Sequence, residues 1–218
     1  PELVPVKFGT HTVQFIESDR SFSSTATQTA SSWAQVSDAI YEAVKNYEPQ
    51  LQMKISMTDV TSEQIISALK DGFGKSEYTY GIGIDTAMSV SSAGILTFKF
   101  TYPVSIEKEQ AITKYVKDTA ANIFNDQMTD FQKVRAAYEY IITNTNYSIA
   151  PDEDGGGHSI YSIVKDGIGV CQAYALLFQR LMEEEGIASK YIVGTSLQGI
   201  NHAWNVVTID GKTYHIDA

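Results

Sequence analysis

Cysteine is almost missing from this chain: Cys171 is the only one in 218 residues. An internal disulfide is therefore excluded, as is any zinc cluster built on several thiolates. Proline is sparse, with five residues, and no window holds the roughly 20 consecutive apolar residues of a membrane-spanning helix. The chain opens at Pro1 without a basic, apolar leader, so a soluble protein or mature segment is expected. Positive charge is short as well. Lys and Arg number 16 against 26 Asp and Glu, a formal net charge of −10 and a pI of about 4.8. That field repels phosphate backbones and anionic lipid surfaces, which argues against nucleic acid as a partner and against membrane insertion.

What is abundant is core material. Hydrophobic residues make up 43% of the chain and aromatics 11%, far from the composition of a disordered segment. Thr12 to Ile16 alternates as a strand, and Ser and Thr from Ser18 to Ser32 read as a surface loop without chemistry. Trp33, Val36, Ile40, Val44 and Tyr47 fall at helical spacing behind a Ser32/Gln35 capping box, ending before Pro49. Leu51 to Met57 alternates as a strand, Thr61 and Gln64 cap a helix running through Phe73, and Tyr78 to Ile84 and Ile95 to Tyr102 supply two more strands. Residues 1–104 thus form an N-terminal α+β accessory region, with Pro103 as punctuation.

Two helical patterns follow, Ile106 to Phe124 and Phe131 to Asn144, the second capped by Thr129 and Gln132. The acidic, Gly-rich run from Pro151 to Gly157 lacks the alternating carboxylates and distal Glu of a calcium loop, and no metal is assigned to it. Gly167 and Gly169 then break the chain just before Cys171, after which Ala175, Phe178, Leu181 and Met182 repeat at helical spacing until Gly186. Cys171 therefore opens a helix. The unpaired N–H groups and dipole of a helix start favour thiolate over thiol, and the same N–H groups can cradle an oxyanion.

Two strands follow, Tyr191 to Thr195 and His202 to Ile209, the second passing through Asp210-Gly211 into Lys212 to Asp217. Asp-Gly between alternating segments signals a two-residue hairpin loop. Ile209 then pairs with Lys212, and the register carries Trp204 opposite Asp217. His202 shares the Trp204 face, which makes His202 and Asp217 diagonal neighbours at roughly 7 to 8 Å between backbones, within reach of a histidine–carboxylate hydrogen bond. A three-residue loop would flip the parity and part them. A thiol at a helix start with a His–Asp pair on a hairpin suits nucleophilic acyl transfer, in which Cys171 attacks, His202 moves the proton and Asp217 fixes the ring tautomer. His158 and His215 are the remaining bases. His215 shares the Asp217 face but lies opposite Val206.

Gly-Val-Cys-Gln-Ala-Tyr-Ala at 169–175, Gly186-Ile187, Tyr191-Ile192-Val193-Gly194, His202-Ala203-Trp204-Asn205-Val206 and Tyr214-His215-Ile216-Asp217 together resemble the core of the transglutaminase-like superfamily. The resemblance covers roughly the last hundred residues and implies that 105–218 is a papain-like α+β catalytic domain, the Cys-bearing helix packed on an antiparallel sheet bearing His and Asp, with Cys171, His202 and Asp217 as its catalytic triad. It also implies a protein or peptide substrate, no cofactor, and a bacterial secreted or cell-surface protein associated with cell wall or surface proteins. Two departures stand out. Val170 occupies the place of the Trp that precedes the Cys in animal members, and the side chain completing their oxyanion hole has no evident counterpart, leaving the Cys171 backbone N–H, Gln172 and Tyr161 as oxyanion candidates. The chain also stops one residue after Asp217, where family members continue, so a C-terminally truncated domain is expected. The acceptor decides between crosslinking by an amine and deamidation or proteolysis by water. The alternatives are a cell-surface binding or scaffolding module that retains the fold without turnover, and a zinc site using Cys171, His202 and Asp217.

Overall fold

The chain divides between Tyr102 and Pro103 into two units. A computed structural model describes residues 6–8, 11–15, 28–148, 157–196 and 198–218.

The first unit holds strands β1 (Val6–Phe8), β2 (His11–Phe15), β3 (Gln28–Ala30), β4 (Gln50–Ile55), β5 (Asp85–Val90) and β6 (Ile95–Thr101), and helices α1 (Trp33–Lys45), α2 (Ser62–Phe73) and α3 (Glu77–Ile82). The strands form one sheet in the order β1-β2-β5-β6-β4-β3, with β2–β5 and β3–β4 parallel. Leu96, Phe98 and Phe100 alternate inward from β6 and meet Met53 of β4, Ile40 of α1, and Leu69 and Phe73 of α2 in one buried cluster. The two helices cross closely because residue 72 is glycine: a Cβ there would stand 2.9 Å from both Ile40 Cγ2 and the Ser37 carbonyl oxygen.

The structure departs from the sequence reading at three places here. Tyr78 to Ile84 is not a strand. Ser76 caps a helix by accepting from the Thr79 N–H, Gly83 ends it at φ 74°, and the strand begins at Asp85; the alternating Tyr and Ile side chains misled because a six-residue helix is too short to display its own period. Gln28–Ala30, expected as loop, is strand β3, held by parallel pairing to Met53–Ile55 and by burial of Ala30, so tertiary pairing overrides a polar composition. Gln35 does not return its side chain to Ser32; its Oε1 accepts from the Ser31 N–H at 2.7 Å. Ile16 and residues 18–27 lie outside the described residues, as do 151–156 of the acidic loop.

The second unit contains α4 (Ile106–Ile123), α5 (Asp130–Asn144), β7 (Asn146–Tyr147), α6 (Ile160–Asp166), β8 (Ile168–Gly169), α7 (Cys171–Glu184), β9 (Ser189–Thr195), β10 (Asn201–Ile209) and β11 (Lys212–Ile216). Helix α7 is its centre. Ala173 through Gln179 are all buried, with Leu181 and Met182, the all-round burial of an internal helix rather than a surface one. It is tied to the neighbouring helices by charge: Arg180 donates to Glu109 Oε1 at 2.7 Å and to Thr113 Oγ1 at 3.0 Å on α4, and Lys133 of α5 donates to Glu185, the C-cap residue, at 2.5 Å.

The antiparallel sheet β11-β10-β9 lies against α7. Ala203, Asn205, Val207 and Ile209 of β10 are buried, and the intervening His202, Trp204 and Val206 occupy the less enclosed face. Gln179 fastens helix to sheet, its Oε1 accepting from Ser189 Oγ at 2.8 Å and from Asn205 Nδ2 at 3.5 Å. This is the α+β arrangement expected for the second unit, a Cys-bearing helix packed on an antiparallel sheet. Among the described residues no helix is long and apolar enough to cross a membrane.

Candidate active site

The site is assembled from a helix start and two neighbouring strands. Gly169 leads into α7 through a turn with no room for a side chain, since a Cβ there would lie 3.0 Å from Ala173 Cβ and 3.1 Å from Ile163 Cγ1. Val170 is the N-cap and makes no side-chain cap bond, while its own N–H donates to the Gly157 carbonyl at 3.0 Å. Cys171 follows as the first helical residue, where the backbone N–H has no partner inside the helix.

Strand pairing brings Tyr147 beside that helix start. Strand β7 runs parallel to β8 with Tyr147 paired to Gly169; Asn146 N–H donates to Gly167 O at 2.8 Å and Ser148 N–H to Gly169 O at 3.0 Å. From α7, Tyr174 donates its hydroxyl to the Thr145 carbonyl at 2.9 Å, and its ring packs 5.7 Å from that of Tyr147. So placed, Tyr147 interacts with the backbone and side chain of Cys171 and with the charge of Asp217. Burial of this hydroxyl end pushes the phenol above its ordinary pKa; the Cys171 backbone bond opposes the shift, and the Cys171 side chain and the charges of Cys171 and Asp217 add to it. Tyr147 therefore keeps its proton across the neutral range. Burial, with the neighbouring Cys171, pushes Tyr191 upward as well.

The other half of the site is the β10–β11 hairpin. Asp210 and Gly211 both take left-handed φ, 51° and 72°, as a two-residue loop of the primed type requires. Ile209 pairs with Lys212 and the register runs to Asn205 with Ile216, so the next step sets Trp204 against Asp217. His202 Nε2 lies 2.9 Å and 3.0 Å from the two Asp217 carboxylate oxygens. The Nε2–H donates to the carboxylate, which leaves Nδ1 as the ring's free base. The His202 ring stacks on Trp204 at 6.0 Å between centroids.

Of the residues named from sequence, His202 and Asp217 are in direct contact, and Cys171 stands at the helix start beside Tyr147. Gln172 is the second residue of α7 and half-buried. Tyr161 lies on α6, its ring under Lys108 Nζ at 4.9 Å; the tyrosine whose hydroxyl reaches Cys171 is Tyr147. Sequence reasoning passed over it because β7 and β8 are two-residue strands, too short for any periodic signal. His215 is committed elsewhere, its Nδ1 accepting from the Trp204 indole N–H at 2.9 Å. Among the described residues no three His, Cys, Asp or Glu side chains are grouped to hold a metal ion.

Residues 117–218 match the profile of the transglutaminase-like superfamily. The match covers a little under half of the chain. A search of curated proteins finds no match. Similar solved structures include a TGase, 16% identical with a TM-score of 0.42 over 77% of this chain and 50% of that one. A cysteine-protease candidate from Cytophaga hutchinsonii is 15% identical, TM-score 0.41, over 62% and 61%. A protease candidate from Parabacteroides distasonis is 16% identical, TM-score 0.39, over 63% and 36%. The chain thus spans between about a third and three-fifths of the length of these three structures.

Proposed function

We propose that the second unit is a cysteine-dependent acyl-transfer enzyme acting on protein or peptide amides. The observation that carries this reading is the double approach of the Asp217 carboxylate to His202 Nε2 at 2.9 and 3.0 Å, which fixes the ring with Nδ1 as base, in a chain whose one cysteine opens the central helix beside a tyrosine hydroxyl.

In the reaction, His202 Nδ1 takes the Cys171 thiol proton and the sulfur attacks the carbonyl carbon of a glutamine carboxamide or a peptide bond. The carbonyl oxygen gains the electron pair and is met by the Cys171 backbone N–H and the Tyr147 hydroxyl as its oxyanion donors. As the intermediate collapses, His202 returns the proton to the departing ammonia or amine and a thioester remains. An amine acceptor then gives an isopeptide or exchanged amide, and water gives the acid. Asp217 stays ionised, orienting the ring and stabilising its protonated form. An extracellular or cell-surface setting, and surface proteins as substrates, belong to this proposal on the strength of the sequence resemblance.

The test supplies a glutamine-containing peptide with hydroxylamine and follows hydroxamate, released ammonia and peptide cleavage separately. Hydroxamate marks transfer, ammonia alone marks deamidation, and new termini mark proteolysis; each must vanish in Cys171→Ala. The approach of His202 to the thiol is tested by iodoacetamide alkylation, which should slow at neutral pH in His202→Ala. A wild-type chain with none of the three activities and with alkylation indifferent to His202→Ala is a binding module instead.

A further inference from the structure

We propose that His215 is a positioning residue whose neutral form clamps Trp204 over His202, so that the site is assembled when His215 is neutral and loosened when it takes up a proton. The proposal rests on the triad reading above and adds to it a pH-dependent support that lies outside the three residues.

The indole is held at both ends. At the pyrrole end its N–H donates to His215 Nδ1 at 2.9 Å. An indole nitrogen can only donate, so this bond exists only while Nδ1 carries no proton. At the benzo end the ring fills the space over Gly194, where a Cβ would stand 2.7 Å from Trp204 Cη2 and 3.1 Å from Cζ3. Gly194 pairs with His202 in the β9–β10 register, so the glycine that admits the indole stands directly across from the proposed base. Between these two anchors the indole presents its face to the His202 ring, 6.0 Å between centroids with 23° between the planes, and its other neighbour His215 is tilted at 33°. The order across the sheet face is His215, Trp204, His202, with Asp217 bonded to His202.

Protonating His215 at Nδ1 turns an acceptor toward a donor. The bond to Trp204 is lost and the indole is free to leave His202, whose side chain would then lose the aromatic cover that limits its choice of rotamers. The titratable groups sharing this face are Lys190 of β9, in the row of Val206 and His215, His202 of β10 and Asp217 of β11. Histidine is the side chain that changes charge between about pH 5 and 8.

Trp204 is one of two tryptophans in the chain, which makes the test direct. In a Trp33→Phe chain, Trp204 emission is followed against pH in three backgrounds. A change on the acid side that disappears in His215→Gln and persists in His202→Gln is the expected result; a change that persists in His215→Gln and disappears in His202→Gln means that the indole reports His202 alone and overturns the proposal, as does an emission flat in every background. The wild-type indole N–H resonances provide a second reading free of the Trp33 substitution: one of them should exchange faster with solvent in acid, and in His215→Phe at every pH. In the alkylation assay His215→Phe should slow the reaction of Cys171 with iodoacetamide, and Gln, which offers an acceptor that does not titrate, should restore it. The two readings separate. Alkylation indifferent to His202→Ala removes the triad and leaves the emission titration standing; a missing emission titration beside His202-dependent alkylation removes the clamp and leaves the triad.

Discussion

Tyr147 interacts with Cys171 through both the backbone and the thiol of the cysteine, although the tyrosine is 63% exposed. A residue this exposed contributes little to the core, so changing it isolates the role of the hydroxyl. Tyr147→Phe removes the hydroxyl alone. If the hydroxyl meets the oxyanion, kcat should fall by about 10²–10³, the scale for losing one oxyanion donor, with KM nearly unchanged. Iodoacetamide alkylation builds no oxyanion and should stay within a few-fold of wild type. An equal fall in both assays would instead assign Tyr147 to the thiol.

Asp217 offers a complementary test. Its side chain is 61% exposed, so Asp217→Asn should leave far-UV circular dichroism and the melting temperature unchanged. The carboxamide presents a mixed donor and acceptor to His202 Nε2, allows the tautomer with hydrogen on Nδ1, and removes the base. A loss of up to about 10⁴ in kcat is the scale set by the corresponding change in a serine triad. Retention of more than a tenth of wild-type activity would mean that His202 needs no orienter.

The distribution of what could be foreseen follows from the range of the forces involved. The β10–β11 hairpin was legible because its register depends on two adjacent residues, Asp210 and Gly211, and strict alternation then carries the parity to His202 and Asp217. The helix behind Cys171 was legible for a similar reason, glycine punctuation followed by a long periodic run. Tyr147 was not, because its position depends on a parallel pairing of two-residue strands and on the Tyr174 bond to Thr145, contacts between segments far apart in sequence. Strand β3 and helix α3 failed in the same way: three residues cannot show a period, and what decides Gln28–Ala30 is the neighbouring strand β4.

Gly194 should be intolerant of any side chain. An alanine Cβ would stand 2.7 Å from Trp204 Cη2, and a rigid indole cannot yield at its ring edge as a flexible chain would. The ring must swing outward, stretching the bond to His215 and uncovering His202. Overpacking of this kind costs about 1–3 kcal/mol, so Gly194→Ala should fold with a modestly lowered melting temperature. Its activity loss should exceed what that destabilisation explains, with faster exchange of the Trp204 indole N–H. A fully active Gly194→Ala would show that the indole position does not matter to His202.

In the first unit His11 is fully buried. Its Nδ1 accepts from the Ile84 N–H at 2.8 Å and its Nε2 donates to the Tyr80 carbonyl at 2.8 Å, with the ring 4.4 Å from that of Phe73. Burial lowers its pKa from 6.5; the Tyr80 and Ile84 backbone bonds and the Asp85 charge oppose the shift without reversing it. The folded state therefore binds a proton less readily than the unfolded one. The stability that neutral His11 contributes is complete above the unfolded value and is lost as the pH falls below it, with a limiting slope of about 1.4 kcal/mol per pH unit until the folded pKa is reached. Urea unfolding of the first unit, followed by Trp33 emission in a Trp204→Phe chain at pH 7.5 and 5.5, should show this loss. His11→Gln keeps one acceptor and one donor but does not titrate, so it should be less stable at pH 7.5 through imperfect packing and lose less on acidification. Carboxylates contribute equally to both chains and cancel in the difference. If acid weakens the variant as much as wild type, the proton is taken up elsewhere and His11 is only a packed ring.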